Sequence, residues 1–368
     1  MPHPSRPRHF IATYHYVRPE NSDGVTGITP EAFERQLRAI AAGWDVVGVD
    51  EFIARESEAS GLALITFDDA VRDQYTWAAP ILESLGMPAV FFAPMRPFDP
   101  VHDDRPDQQW IAQHLLHALA EQMGWPAFER AFDAAVAARS LRISIDLEHM
   151  NELYHYEVPA KRRLKYSIAF ALDPSTVAGI LTEINAEVGL QARDWFMGPG
   201  DLIDLERRGF AIAGHGYDHF PYSTMTADQQ RDDLRRAREV LDALLGPANR
   251  SLAYPFGRST SVTAEIAAEL GYTRCFGTEE RIDAREVLEV AEASMATDSS
   301  IAVAPAVPSG ISSGISSGIA SNLPTTEPMP GPTDGLADGL ADGPADAPNA
   351  ADLASEIRGT SIPQEHRQ

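Results

Sequence analysis

The sequence has little of what defines several common classes of protein. Cys275 is the only cysteine in 368 residues, which excludes a disulfide within the chain. Lysine is scarce, since Lys161 and Lys165 are the only two, and 54 acidic residues outnumber 30 basic ones. Binding to nucleic acid or to an anionic membrane surface depends on clustered Lys and Arg. We therefore expect neither partner for a chain with a net charge of -24.

Long apolar runs are also missing from the sequence. No stretch approaches the ~18 apolar residues that cross a bilayer. The opening residues, MPHPSRPRHF, contain no apolar segment of the kind that a signal peptide needs. We therefore predict no membrane span and a cytoplasmic location.

The sequence does contain short apolar runs that alternate with helical patterns. Strands are expected at residues 9–17, 45–49, 62–67, 89–93, 209–214, 251–254 and 272–276. Helices are indicated by apolar residues at helical spacing, by Pro30 after the capping residue Thr29, and by a capping box of Thr226 and Gln229. Strands that alternate with helices form parallel sheets, so the predicted fold class is α/β.

Two regions depart from this alternation. Residues from about 95 to 200 are rich in Ala, Leu, Glu and Arg and are expected to form a helical insertion between strands. Both a lid and a packed structural element fit this pattern. Residues 291–368 contain short biased repeats with few large apolar groups, which cannot offset the entropy of ordering. We predict a folded domain at residues 1–290 and a disordered tail at 291–368.

Two adjacent acids, Asp68 and Asp69, follow the third predicted strand in the run ITFDD. A charge at the end of a buried strand needs a partner, and a metal ion would supply one. In that case Asp69 binds the metal and Asp68 stays free as a base. The alternative is that Asp69 caps the following helix.

Two histidines, His215 and His219, follow a later strand at a spacing of four residues. Imidazoles at this spacing can share one metal ion on one side of a helical turn. Because the carboxyl ends of barrel strands meet at one mouth, we expect Asp69 to join them there. Two histidines and a carboxylate suit Zn²⁺ or Fe²⁺. Pairs of solvated histidines without a metal are the alternative.

A third motif, AYPFG, follows the strand predicted at residues 251–254, and alone it indicates only a turn. Together the three motifs resemble, in type and order, those of the polysaccharide deacetylases, carbohydrate esterase family 4. The matching runs are Thr66-Phe67-Asp68-Asp69, the His-x3-His pair, and Pro255-Phe256-Gly257. The resemblance covers about residues 8–277 and implies an irregular (β/α)7-type barrel.

The resemblance implies that Asp69, His215 and His219 hold a divalent metal, most simply Zn²⁺. It also implies that Asp68 is the general base, which takes a proton from the water that attacks an acetamide carbonyl. The expected partner is an N-acetylated carbohydrate.

The resemblance also implies that the AYPFG motif contacts the reacting acetamide group. The backbone N–H of Phe256 would donate to the oxyanion, with Tyr254 and Pro255 on the same rim. Ala253 stands where the family often has an arginine that orients the base. The orientation of the base is therefore left open by the sequence.

A late histidine that serves the family as general acid has no counterpart here, since His366 is the only histidine after His219. Either the final barrel segment is missing or another group donates the proton. His15, near the end of the first strand, is the candidate acid, with a packing or substrate-contacting role as the alternative. His102 and His155 are weaker candidates.

Three functions fit these observations. The first is an active, metal-dependent deacetylase that acts on a sugar in a polysaccharide, oligosaccharide or glycan precursor. The second is a catalytically impaired member that binds carbohydrate. The third is a related metal hydrolase that acts on a non-sugar amide.

Overall fold

A curled parallel sheet forms the centre of the folded domain. The computed structural model describes residues 8–301, apart from residues 23, 58–60, 106–107, 156 and 249. Its strands are β1 (Phe10–Tyr14), β2 (Asp45–Val46), β3 (Leu62–Asp68), β4 (Val90–Ala93), β5 (Ala211–Gly214), β6 (Arg250–Ala253), β7 (Tyr272–Phe276) and β8 (Ile282–Asp283). Neighbours follow the order β7-β6-β5-β4-β3-β1-β8, β2 pairs with β3, and every one of these pairs is parallel. The predicted α/β barrel class is confirmed.

Helices connect the strands and cover the sheet. They are α1 (Pro30–Gly43), α2 (Val49–Arg55), α3 (Ala79–Leu85), α4 (Ala112–Met123), α5 (Trp125–Ala138), α6 (Leu147–Leu153), α7 (Pro159–Tyr166), α8 (Pro174–Val188), α9 (Ala192–Trp195), α10 (Pro199–Arg207), α11 (Ala227–Leu245), α12 (Ser261–Glu269) and α13 (Val287–Ile301). The predicted caps are present: Thr29 caps α1, and Thr226 with Gln229 forms the capping box of α11.

The side chains of strand β3 alternate between the barrel interior and the helices outside it. All seven of its residues are buried. Ile65 and Phe67 pack in the cluster that includes α1, whereas Leu62 and Leu64 pack on the opposite face with residues of β4 and β6. Because side chains alternate along a strand, Asp68 continues the face of Leu64 and enters the interior.

The predicted helical insertion corresponds to α4–α10, which lie between β4 and β5. It has its own apolar core, in which Phe128 and Phe132 are fully buried. The insertion returns to the barrel beside the third strand, where Val71 forms a bridge with Phe196 and the N–H of Met197 donates to the carbonyl of Ala70 at 3.0 Å. This packing favours a structural element over a free lid.

The second predicted strand, residues 45–49, is shorter than expected. Only Asp45 and Val46 belong to β2, and α2 begins at Val49. Asp50 and Glu51 lie in the first turn of that helix, where the helix dipole stabilises negative charge.

The C-terminal helix crosses the predicted domain boundary at 290/291. Val287 and Ala291 of α13 are fully buried in the cluster that contains Leu37 of α1. Residues 291–301 are therefore helical, and the rest of the tail predicted to be disordered, 302–368, lies outside the described residues. Among the described helices, none combines the length and the apolar character needed to cross a bilayer.

Candidate metal-binding active site

The two adjacent acids reach the same site because the backbone turns sharply after β3. Neighbouring strand residues normally point to opposite faces. Asp69 and Ala70 have φ values of 79° and 50°, which are rare and strained for residues other than glycine. The N–H of Asp69 donates to the carbonyl of Phe92 at 3.0 Å and holds this turn. The next helical turn begins at Gln74, so Asp69 is not its capping residue.

The histidine pair lies in the loop after β5. The N–H of His215 donates to the carbonyl of Ala93 at 3.0 Å, and its Nδ1 lies 2.8 Å from the carbonyl oxygen of Ala253. A carbonyl can only accept, so Nδ1 carries the proton and Nε2 offers a lone pair. His219 has a φ of 59°, and this left-handed turn brings its ring to 4.7 Å from the ring of His215.

Gly216 is required between these histidines. Its φ is 72°, and a Cβ built there would lie 2.7 Å from the hydroxyl of Tyr222 and 3.0 Å from Oδ1 of Asp233. Asp233 is buried and accepts from the N–H groups of Tyr217 and Asp218, both at 2.9 Å. The carboxylate therefore holds the loop that carries both histidines.

The predicted metal-binding residues meet at one buried point. Oδ1 of Asp69 lies 3.0 Å from Nε2 of His219 and 3.5 Å from Nε2 of His215. The two Nε2 atoms are 3.2 Å apart. All three side chains are buried, and one ligand atom from each lies within 4.8 Å of the others.

The donor set fits a divalent transition metal. Two imidazoles and one carboxylate suit Zn²⁺ or Fe²⁺. Oδ1 of Asp69 is buried without a hydrogen-bond partner, which is costly unless a cation neutralises it. The bond from Nδ1 of His215 to a carbonyl is the arrangement that commonly orients a metal-binding histidine.

The charge states of these groups also suit metal binding. Burial lowers the pKa of His219 to about 4, so its imidazole is neutral at pH 7. Burial raises the pKa of Asp69, but His114 and His219 outweigh it and hold the pKa well below its usual value. Burial likewise opposes a charged His215, yet Asp68 and Asp69 raise its pKa. A cation among these atoms would replace the proton that the carboxylates attract.

Asp68 has a partner that the sequence did not reveal. Its Oδ1 accepts from Nη1 of Arg281 at 2.8 Å, and both side chains are almost fully buried. Burial raises the pKa of Asp68, but Arg281 and then His215 and His15 outweigh it, so the pKa lies below its usual value. Arg281 follows β7 and provides the guanidinium that Ala253 cannot. No local pattern marks it, because it reaches Asp68 only where β8, which follows it, pairs with β1.

The AYPFG motif divides between the site and the core. Phe256 has a φ of 57°, and its ring lies 5.2 Å from the ring of His219. Pro255 is buried beside it. The side chain of Tyr254 packs in a separate cluster with Tyr222 on the outer face of the sheet. Among these three residues, Phe256 has the ring that contacts the histidine pair.

The candidate acids occupy different positions. Nε2 of His15 lies 3.9 Å from Oδ2 of Asp69, and its side chain is 41% exposed. His102 is buried with Nε2 3.0 Å from the hydroxyl of Tyr217. The ring of His155 contacts the carbonyl of Glu152 in the insertion. Of these three histidines, His15 is the one whose ring lies beside the cluster formed by Asp69, His215 and His219.

The structure adds one histidine that sequence reasoning missed. His114 of α4 is buried, and its Nε2 lies 3.4 Å from Oδ2 of Asp69. The only local signal is a pair of histidines, His114 and His117, three residues apart in a largely apolar helix. The helix pattern predicts burial of His114 but not its destination.

Comparison with known families identifies part of this arrangement. Residues 178–275 match the family model described as polysaccharide deacetylase. The matching family is the polysaccharide deacetylases. The matched segment contains both histidines of the pair and the AYPFG motif, whereas Asp68 and Asp69 lie before it and join the site through the fold. The resemblance predicted from the motifs is confirmed by this match.

Solved deacetylase structures are similar at low identity. The Streptococcus pyogenes deacetylase PplD in complex with acetate is 16% identical, with a TM-score of 0.43 over 73% of this chain and 82% of that chain. IcaB from Ammonifex degensii is 17% identical, with a TM-score of 0.45 over 78% and 97%. A de-N-acetylase from Aggregatibacter actinomycetemcomitans is 14% identical, with a TM-score of 0.42 over 75% and 93%. No curated protein matches the chain.

Proposed function

We propose that the protein removes N-acetyl groups from a sugar of a polysaccharide or oligosaccharide, using a divalent metal, most simply Zn²⁺. The observation that carries this proposal is the buried convergence of Asp69, His215 and His219 beside a second carboxylate, Asp68. The deacetylase family match supports the reaction class.

Zn²⁺ bound by these residues would act as a Lewis acid and lower the pKa of a water molecule. Asp68 is the group suited to take a proton from the attacking water. Its Oδ2 lies 3.8 Å from Nε2 of His215 and thus faces the cluster, while Oδ1 is held by Arg281. Its lowered pKa keeps it ionised near neutral pH, as a general base must be.

His15 is suited to protonate the leaving amine. Its imidazole is partly exposed to solvent, and its Nε2 approaches the cluster of Asp69, His215 and His219 from the side of β1. An amine leaves readily only when protonated, so a donor at this position would complete the reaction. We further propose that the backbone N–H of Phe256 stabilises the oxyanion.

Arg281 favours an active enzyme over the catalytically impaired alternative. Ala253 had left Asp68 without an orienting arginine, and Arg281 occupies that role from another element. Short strand β8, which follows Arg281 and pairs with β1, also extends the barrel beyond β7. The alternative is a substrate with a non-sugar amide, and comparing acetate release from N-acetylated sugars and from non-sugar amides distinguishes the two.

Metal content tests the proposal directly. Wild-type protein reconstituted with Zn²⁺ and passed through a desalting column is expected to hold about one equivalent, as a site of this donor set predicts. The His215→Ala variant is expected to hold none and to release no acetate from N-acetylated oligosaccharides. His9→Ala is the matched control, because His9 lies before β1, at the opposite end of that strand from His15. Metal-free wild type that still deacetylates would refute the proposal.

A further inference from the structure

We infer that His114 is a positioning residue for Asp69. In this arrangement His114 donates its Nε2–H to Oδ2, so that the other oxygen, Oδ1, faces His215 and His219. The inference deepens the proposed function and rests on it for the metal, although the orientation of Asp69 can be tested separately.

The two oxygens of Asp69 have different surroundings. Oδ1 lies within 3.5 Å of both Nε2 atoms of the histidine pair. Oδ2 lies 3.4 Å from Nε2 of His114, which comes from the insertion and not from a barrel strand. This Nε2 is buried and makes no formed hydrogen bond among the described residues, so the nearby Oδ2 is the acceptor available to its proton. Oδ1 of Asp69 therefore faces the proposed metal-binding histidines, whereas Oδ2 faces His114.

The tautomer of His114 follows from its other ring nitrogen. Nδ1 lies 2.8 Å from the hydroxyl of Tyr16 and 3.3 Å from Nε1 of Trp195. An indole N–H can only donate, so Nδ1 must accept and cannot carry a proton. In a neutral imidazole the proton then resides on Nε2, which faces Asp69. A protonated Nε2 has no lone pair, so His114 supports the cluster and does not bind the metal.

The surroundings of His114 fix its ring. Its side chain is only 3% exposed, and the ring of Phe196 packs against it edge-on at 5.2 Å between centroids. Phe196 is itself bridged to Val71, close to Asp69 in the chain. Groups that hydrogen-bond a metal-binding carboxylate fix its geometry, and losing one typically costs about 10- to 100-fold in metal affinity. The insertion thereby contributes to the geometry of the site as well as to its walls.

The first test needs no metal. Long-range ¹H–¹⁵N correlation spectra of the metal-free protein report which ring nitrogen of a histidine is protonated, and the His114 signal is assigned by its loss in His114→Gln. We expect the tautomer that carries its proton on Nε2. A proton on Nδ1 would overturn the inference whether or not the protein binds zinc.

The second test measures zinc affinity by competition with a chromophoric chelator. His114→Ala is expected to weaken binding by about 10- to 100-fold with one site retained. His114→Gln keeps an N–H donor near the position of Nε2 and is expected to stay within a few-fold of wild type. His149→Ala is the control, because His149 is an insertion histidine that contacts Tyr166. Thermal melting of the metal-free variants checks that they remain folded.

The outcomes separate this inference from the proposed function. Equal, large losses in His114→Ala and His114→Gln would make His114 a metal ligand, and wild-type affinity in both would leave it without a role, so either result overturns the inference. Wild-type protein that binds no zinc would refute the proposed function instead. In that case the tautomer alone decides whether His114 orients Asp69.

Discussion

The loops that follow the barrel strands and the helical insertion contribute to the same site in different ways. The ends of the strands and the loops after them supply the groups proposed to act on substrate or metal, namely Asp68, Asp69, His215 and His219. The insertion supplies His114, whose Nε2 lies beside Oδ2 of Asp69. The chemistry is thus concentrated at the strand ends, while the insertion fixes geometry. Substitutions in the two regions should therefore differ in size and in kind.

The largest effect of the four changes below is expected for Asp68→Asn. Loss of the proposed general base should lower kcat/KM by about 10²- to 10⁴-fold, while zinc content stays near that of wild type. Acetate release and elemental analysis of one preparation measure both. Because Arg281 then keeps a buried charge without its partner, a melting curve must accompany the assay. Loss of zinc together with activity would mean that Asp68 is a ligand and not a base.

His15→Ala should lower the rate of acetate release nearly as much, but only on substrates with poor leaving groups. A sugar amine needs a proton to depart, so its release is expected to slow by about 10²-fold or more. An aryl acetate ester has a good leaving group and should be hydrolysed at close to the wild-type rate. His9→Ala serves as control. Equal losses on both substrates would contradict a general-acid role for His15.

Arg281→Met should change the pH dependence. Burial raises the pKa of Asp68, and Arg281 is the largest influence that lowers it. Without the guanidinium the pKa rises, so the base becomes protonated at higher pH and the acidic limb of kcat/KM moves upward. Arg274→Met is the control, since Arg274 pairs with Glu56 and Glu280 instead. An unmoved acidic limb would show that Asp68 does not control that limb.

The smallest effect on the chemistry is expected for Phe132→Ala in the insertion core. Removing this fully buried ring should lower the free energy of unfolding by about 3–5 kcal/mol. At a temperature where the variant is folded, kcat/KM should change little, because Phe132 is not among the side chains found at the cluster. Denaturant unfolding and acetate release measure the two quantities. A large loss of activity in the folded variant would mean that the whole insertion body shapes the site.

The same division explains what the sequence could predict. Asp68, Asp69, His215 and His219 stand directly after apolar strand patterns, and parallel strands bring their carboxyl ends together. The barrel class and the cluster therefore follow from local patterns. The resemblance further pointed to Phe256, which lies beside His219.

The remaining residues depend on long-range packing. Arg281 stands before a two-residue strand, too short to produce an apolar pattern. His114 lies on a buried helix face, where the sequence pattern indicates only a residue packed in the core. Tyr254 was assigned to the rim by its place in the motif, yet strand alternation turns its side chain outward. Each case depends on which distant element packs against the residue.

The pairing of β1 with β8 has a consequence for folding during synthesis. β1 is near the start of the chain, yet its second neighbour is Ile282–Asp283, and Gln36 of α1 donates to the carbonyl of Ala284 at 2.7 Å. Contacts so distant in sequence form slowly, because a long loop must close first. Until the codons for Arg281 and α13 have been translated, Asp68 lacks the guanidinium that pairs with it and α1 lacks the helix that packs against it. The barrel edge and the buried ion pair form only after residues 281–284 have been synthesised, and until then β1 exposes an unpaired edge to other nascent chains and to chaperones.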